Sequence, residues 1–302
     1  MSVIVVTGAA GQLGRSTVQL LQSQGMLVHA YDRVSSESLP FSHTLVDLAN
    51  PRSDFYWPEE TETVLHLAGS RDIAGFSSAA AQEMLDSNLL STATALAACG
   101  SHVRRFVYVS SMSVYAADAP VPTPESGPTD PVSLYAKSKW LGEQACHVFQ
   151  TANSAFQLTI VRLAQVYGPG SPDHLAIYKL IDQALRTGCM YLDCMPDLKR
   201  DFIYLDDAAI ALVYAVQTCP SGIYNIGGGK PVTMQELADI VAASVASPAT
   251  VSFGMKRGTD RALAADAFRT ITGFVPLISI QDGIARDVEW YSQKHNISRG
   301  KE

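Results

Sequence analysis

The sequence has no run of lysine or arginine, and its 22 basic and 29 acidic residues leave a net charge of −7. Bulk charge of that sign argues against nucleic acid or an anionic membrane as a partner, so an anionic ligand has to be held by a few locally placed arginines. The five cysteines, Cys99, Cys146, Cys189, Cys194 and Cys219, contain no C-x-x-C pair, and the seven histidines show no ligand spacing. Neither a disulfide framework nor a metal site is expected; the thiols read as free and buried. No stretch of 18 apolar residues occurs, and the first apolar run begins at Val3 with no basic segment before it. Membrane spanning and secretion are therefore not expected, and the cytoplasm is the expected compartment.

What is present suits an ordinary globular protein. At 302 residues, 47% of them hydrophobic, the chain can bury one large core or two unequal ones. Short β-branched apolar runs at 3–7, 27–31, 63–68, 105–110 and 158–163 alternate with helical patterns reaching Gln24 and covering 80–99 and 134–151. The proline-rich stretch 120–131 reads as a loop. Strand–helix alternation specifies a parallel sheet covered by helices, so the expected fold is α/β, a Rossmann-type doubly wound parallel sheet. The alternation breaks after Tyr167-Gly168-Pro169-Gly170 and resumes briefly at 202–204 and 223–226. Residues 1–165 are thus expected to form a Rossmann-type domain to which 200–226 return, with 166–302 as a smaller, mostly C-terminal domain; the motifs below assign the first to NAD and the second to substrate.

Two constellations carry chemistry. Thr7-Gly8-Ala9-Ala10-Gly11-Gln12-Leu13-Gly14 follows the first strand and opens a helix. Glycines there permit a tight turn and let backbone N–H groups approach a pyrophosphate at the helix N-terminus. Asp32 ends the second strand, where a carboxylate can bond the adenosine ribose hydroxyls and repel a 2′-phosphate; this favours NAD over NADP, although the adjacent Arg33 could accept that phosphate. The second constellation is Tyr135-Ala136-Lys137-Ser138-Lys139, in which i, i+4 spacing puts Tyr135 and Lys139 on one helix face. An ammonium beside a phenol favours phenolate, so Tyr135 can take a proton from a substrate hydroxyl or return one to a carbonyl. Ser110 and Ser111 end a strand at the edge where such a sheet binds its ligand, and Ser111 can bond the reacting oxygen.

With these motifs the sequence resembles the extended short-chain dehydrogenase/reductase family, in particular its nucleotide-sugar epimerase/dehydratase branch. The resemblance extends over Asp47-Leu48, His66-Leu67-Ala68-Gly69, Asn88, Val166-Tyr167-Gly168-Pro169, Arg200-Asp201-Phe202-Ile203-Tyr204-x-Asp206-Asp207 and Asn225-Ile226-Gly227. It implies a catalytic triad of Ser111, Tyr135 and Lys139, with Lys139 also on the nicotinamide ribose. It further implies cofactor contacts from Gly8, Gly11, Gln12, Leu13, Gly14, Asp32, Arg33, Asp47, Leu48, Leu67, Ala68, Gly69, Asn88 and Val166. Arg200 and Arg257 resemble the pair that grips a nucleotide diphosphate, a task suited to the planar guanidinium fork.

The branch's dehydratases and decarboxylases carry an acidic residue just after the catalytic hydroxyl, whereas here Met112 and Ser113 follow. Loss of water from a hexose needs such a group, so oxidation and re-reduction at one carbinol is expected, as in a UDP-glucose 4-epimerase-like enzyme acting on a nucleotide-diphosphate sugar with NAD. A 4-ketoreductase or other alcohol dehydrogenase is the nearest alternative, and a non-catalytic NAD-binding sensor or assembly factor the alternative of another class. Gln165, where many members have a substrate-touching Asn, leaves the sugar open, and Ala116 stands where Gly is usual. The helices over 80–99 and 134–151 resemble those that pair between subunits in the family, implying a homodimer.

Overall fold

The computed structural model describes residues 3–35, 39–50, 55–70, 77–245 and 248–297. Strand β1 (Val3–Thr7) is buried along its whole length, as a central parallel strand covered on both faces must be. Helix α1 (Gln12–Ser23) follows and buries a stripe of Gly14, Thr17, Val18 and Leu21. Next come β2 (Leu27–Asp32), β3 (His43–Leu45) and β4 (Thr61–His66). Helix α2 (Ser78–Met84) runs through a π-helical turn, Leu85–Leu90, into α3 (Ser91–Ala97). Strand β5 (Arg105–Ser111), helix α4 (Leu134–Ala152) and strand β6 (Gln157–Leu163) complete the first part of the chain.

The expected strand over 63–68 lies two residues earlier. Beyond His66 the backbone turns toward β1, Leu67 N donating to Thr7 O and Ala68 N to Thr7 Oγ1, and so leaves the ladder. The helix expected over 80–99 is broken by the π turn, which apolar periodicity does not reveal because both helical forms bury one face.

The second part contains β7 (Gln165–Tyr167), α5 (Ala176–Thr187), β8 (Cys189–Leu192), β9 (Lys199–Arg200), β10 (Phe202–Tyr204), α6 (Leu205–Gln217), β11 (Gly222–Ile226), β12 (Val232–Thr233), α7 (Met234–Ser244), β13 (Thr250–Phe253), α8 (Asp266–Thr272) and α9 (Ile280–Lys294). Strand β11 joins the main sheet, whose order is β11-β6-β5-β4-β1-β2-β3 with every pairing parallel. Helix α1 packs beside α6 and α3 beside α4. The remaining short strands pair two by two, β10 with β7, β12 with β9 and β13 with β8, around a separate apolar cluster built on Ile177, Leu180, Ile181, Leu237, Val241, Ile284 and Val288.

Two features of this layout position a site. The strand order reverses between β1 and β4, so the connections leaving those strands diverge and open a crevice at their C-terminal ends. The cluster around α5, α7 and α9 is joined to that edge through β7 and β10.

Candidate active site

The turn after β1 is shaped by two glycines. Gly8 has φ +68°, and a Cβ there would lie 2.7 Å from Ala68 N; one on Gly14 would collide with Gly8 O. Gly11 stands at the N-cap of α1 with no side-chain cap, and the first turn has no acidic residue, so the leading N–H groups are left to an anion from outside. Asp32 braces the turn: its Oδ2 accepts from Ala10 N and its Oδ1 from Val34 N, both at 2.9 Å. A cavity of ≈ 400 Å³ lies beside it, lined by Gly8, Gly11, Asp32, Arg33, Asp47, Leu48, Leu67, Ala68 and Gly69. This cradle, with a carboxylate at one end and a bare helix terminus at the other, fits a dinucleotide.

A second cavity of ≈ 670 Å³ shares Gly8, Gly11, Leu67 and Gly69 with the first, so the two form one continuous crevice. Ser111, Tyr135 and Lys139 all line it, together with Gln12, Leu13, Gly14, Asn88, Gln165, Val166 and Arg200. Ser111 arrives at the end of β5, its Oγ accepting from Ser113 N at 3.2 Å. Ser133 caps α4 by accepting from Ala136 N, which places Tyr135 and Lys139 in the first turns of that helix. Lys139 is buried, with Nζ 4.3 Å from the centroid of the Tyr108 ring. Burial pulls its pKa down to about 8, against the opposing charge of Glu143.

Asn88, on the π turn, ties the crevice walls together. Its Nδ2 donates to Ser70 O and to Ser138 Oγ, each at 2.8 Å, while its Oδ1 accepts from Ser70 N. The helix carrying Tyr135 is thereby fixed to the segment leaving β4. Behind it, the Thr92 hydroxyl donates to Asn88 O, so His66 Nε2–H must donate to Thr92 and His66 Nδ1 accept from Thr7. Full burial holds His66 neutral, its pKa pushed down to about 3.

Sequence reading missed a polar layer beneath Ser111. Ser110 Oγ donates to Glu143, which forms a double hydrogen bond with Arg162; Arg162 lies over the Tyr115 ring, and Tyr115 donates to Asn225 Oδ1. The signal available was an arginine inside the apolar run of β6, facing a glutamate on α4.

One expected residue lies elsewhere. Arg257 is exposed, and the arginine that lines the crevice with Arg200 is Arg261. The reason is backbone pairing: Arg261 forms a parallel bridge with Arg200, which turns position 261 inward, while Arg257 lies in irregular chain ahead of it. Arg261 Nη1 donates to Met112 O and Tyr115 O, and Arg200 Nη1 donates to Lys199 O and Thr259 O. Among the described residues neither forms an ion pair. Burial lowers the pKa of both, and the Arg261 charge lowers that of Arg200 further.

Among the described residues no group of His, Cys, Asp or Glu is arranged to hold a metal, and no helix is long and apolar enough to cross a membrane.

A glycine turn on a doubly wound parallel sheet, with Ser111, Tyr135 and Lys139 in the adjoining crevice, defines an extended short-chain dehydrogenase/reductase site. Residues 4–227 match the NAD dependent epimerase/dehydratase family, and the chain belongs to it. Among curated proteins it is 28% identical to UDP-glucose 4-epimerase of Mycolicibacterium smegmatis, over 96% of this chain and 98% of that one. Among solved structures it superposes on MoeE5 in complex with UDP-glucuronic acid and NAD (TM-score 0.82, 26% identity, 96% and 99% of the two chains). It also superposes on TunA, an NAD-dependent NDP-hexosamine 5,6-dehydratase (TM-score 0.82, 26% identity, 97% and 98%). The cofactor is NAD.

Proposed function

We propose that this enzyme is an epimerase of a nucleotide-diphosphate sugar, inverting C4 through a 4-keto intermediate. The observation that carries the reading is the pair Arg200 and Arg261: two half-buried guanidinium groups outside any described ion pair, on the wall of the crevice that also contains Ser111, Tyr135 and Lys139. Uncompensated cations at such a wall favour a polyanionic handle, and a diphosphate supplies one. The likeness to UDP-glucose 4-epimerase and to MoeE5 with its UDP-sugar supports the same assignment. Met112 is buried and apolar, so the segment after Ser111 offers no acid or base for the dehydration that TunA performs.

In this reading the Tyr135 phenolate takes the proton of the C4 hydroxyl, and Ser111 bonds the same oxygen and holds it through the carbonyl stage. The Lys139 ammonium keeps Tyr135 ionised and reaches the nicotinamide ribose. Bound NAD supplies a hydride acceptor that gives the hydride back within the cycle. Arg200 and Arg261 would retain the diphosphate while the keto sugar turns over, so that either face of C4 could be presented to the bound cofactor. Residues 1–165 and 200–226 serve the cofactor, the rest of 166–302 the substrate. The working form is a homodimer in the cytoplasm, with no nucleic acid partner.

The test is incubation with UDP-, dTDP- and GDP-hexoses, following product stereochemistry and reduced-nicotinamide absorbance together. A C4 epimer without net absorbance change is expected, and lost in Tyr135→Phe. Stoichiometric cofactor conversion without an epimer would identify a reductase or dehydrogenase instead. Light scattering that returns 32.4 kDa would refute the dimer.

A further inference from the structure

The Tyr178 hydroxyl, on α5, has four close polar neighbours, one of them the Ser171 hydroxyl. Gly168 N donates to it at 3.0 Å, while Gly168 O and Asp287 Oδ2 each lie 2.6 Å from its oxygen. Two oxygens at that separation need a proton between them, and a phenol has one proton to give. Gly168 O has only lone pairs. The second proton therefore resides on Asp287: its carboxylic O–H donates to Tyr178 Oη, and the Tyr178 O–H donates to Gly168 O.

The surroundings agree with a neutral acid. Asp287 is fully buried on α9, and among the described residues its Oδ1 has no hydrogen-bond partner, which an uncharged carbonyl oxygen tolerates far better than a carboxylate. The facing groups on β7 and β10 are phenols, Tyr167 and Tyr204. Helix α7 contributes Leu237, Ala238 and Val241 to the surrounding core. From α5, Asp182 is engaged by Tyr291. Asp206 and Asp207 of α6 add negative charge, and Asp207 is bonded to Leu277 N and Ile278 N. The nearby cation, Arg286, is more than half exposed, over the Tyr204 ring and 3.8 Å from Asp206. Burial accordingly pushes the Asp287 carboxyl up to about 7.

This proton has a structural consequence. Gly168 O also accepts from Gln12 Nε2 at 2.9 Å, and Gln12 donates as well to Pro169 O at 3.0 Å. Gln12 is the first residue of α1, next to Gly11 of the phosphate turn. We infer that Asp287, in its neutral form, is a positioning residue that acts through Tyr178 to lock the Gly168–Pro169 backbone onto Gln12, making cofactor binding sensitive to pH. Ionised Asp287 would leave one proton for two acceptors and set lone pair against lone pair at one of them, loosening one of the holds on a backbone that Gln12 and Ser171 N also grip.

The signs follow from linkage. The gripping form holds the proton, so NAD affinity is greatest below about pH 7 and falls as pH rises through it. The folded pKa lies above the unfolded value of about 3.9, so the stability this group contributes is complete at low pH and is lost as pH rises toward 7.

Two measurements test it. NAD binding and melting temperature are followed across this pH range in the wild type and in Asp287→Asn, whose amide keeps a donor toward Tyr178 but cannot ionise. The dissociation constant is expected to rise several-fold with pH in the wild type and to stay level in the variant, which melts above the wild type at alkaline pH. Parallel pH profiles with a uniformly less stable variant would overturn the proposal. Infrared spectroscopy of the wild type alone covers a variant that does not fold: a protonated-carboxyl band that persists beyond the ordinary carboxylate range and bleaches around pH 7 is expected, and its absence would equally overturn it.

Discussion

Arg162 and Glu143 meet through two hydrogen bonds, Nε to Oε1 at 3.0 Å and Nη2 to Oε2 at 2.7 Å, with side chains only 5% and 1% exposed. Beneath Ser110 and Ser111, this pair fixes the end of β5 to α4 and hence Ser111 to Tyr135 and Lys139. Desolvation makes a buried pair a modest net contributor, but removing one partner strands the other charge.

Glu143→Leu should therefore cost about 3–5 kcal/mol in urea unfolding. The double variant Glu143→Leu with Arg162→Met should recover most of that loss. If the double variant were as unstable as the single one, hydrogen bonds to Ser110 and to Glu125 O, and not stranded charge, would account for the cost.

The Lys139 ammonium titrates low, at about 8, because it is buried. Its proton is bound below that value and lost above it, and the support it gives to ionised Tyr135 goes with it. Turnover at saturating NAD should show an alkaline limb governed by this group. Lys139→Arg, which keeps its charge, should lack that limb in whatever activity survives; a limb at the same pH in the variant would assign it to another group.

Much of this site was legible in the sequence because its chemistry is local. Glycine spacing after a strand and a Tyr–Lys pair four residues apart each require only a few consecutive residues in one element. What escaped depends on tertiary pairing. Arg261 faces the crevice because it bridges to Arg200, and nothing in the stretch 257–261 distinguishes it from Arg257. Asn88 reaches both Ser70 and Ser138 from a π turn, whose extra residue leaves no mark on apolar periodicity. The helices after Tyr167 are not evident from strand–helix alternation, although α5 buries Ile177, Tyr178, Leu180, Ile181 and Ala184 as a regular stripe. Glycine- and proline-rich loops between them interrupt the alternation that marks the first part of the chain.

The three arginines separate cleanly by mutation. A charge-assisted hydrogen bond contributes about 1.5–3 kcal/mol, so Arg200→Met and Arg261→Met should each raise KM for a nucleotide sugar by about 10- to 100-fold. Arg261→Met should also lower kcat, because its guanidinium holds Met112 O and Tyr115 O in the turn that follows Ser111. Arg257→Ala, at an exposed position, should change neither constant. A raised KM in Arg257→Ala alone would move the diphosphate site to the surface loop.

Asp32 has two duties that substitution can divide. Its charge disfavours a 2′-phosphate, and its oxygens brace Ala10 N and Val34 N. Asp32→Asn keeps an acceptor for one of those bonds and removes the charge. NADP binding should then appear, with Arg33 beside it on the cavity wall as the phosphate partner, while NAD binding weakens modestly through the loosened turn. Adding Arg33→Gln to Asp32→Asn should erase the gained NADP affinity and leave NAD binding where the single variant put it. Calorimetric titration of both cofactors against both variants decides the matter. If Asp32→Asn lost NAD and gained no NADP, bracing the glycine turn would be the carboxylate's whole contribution, and cofactor choice would have to be set by other residues of the crevice.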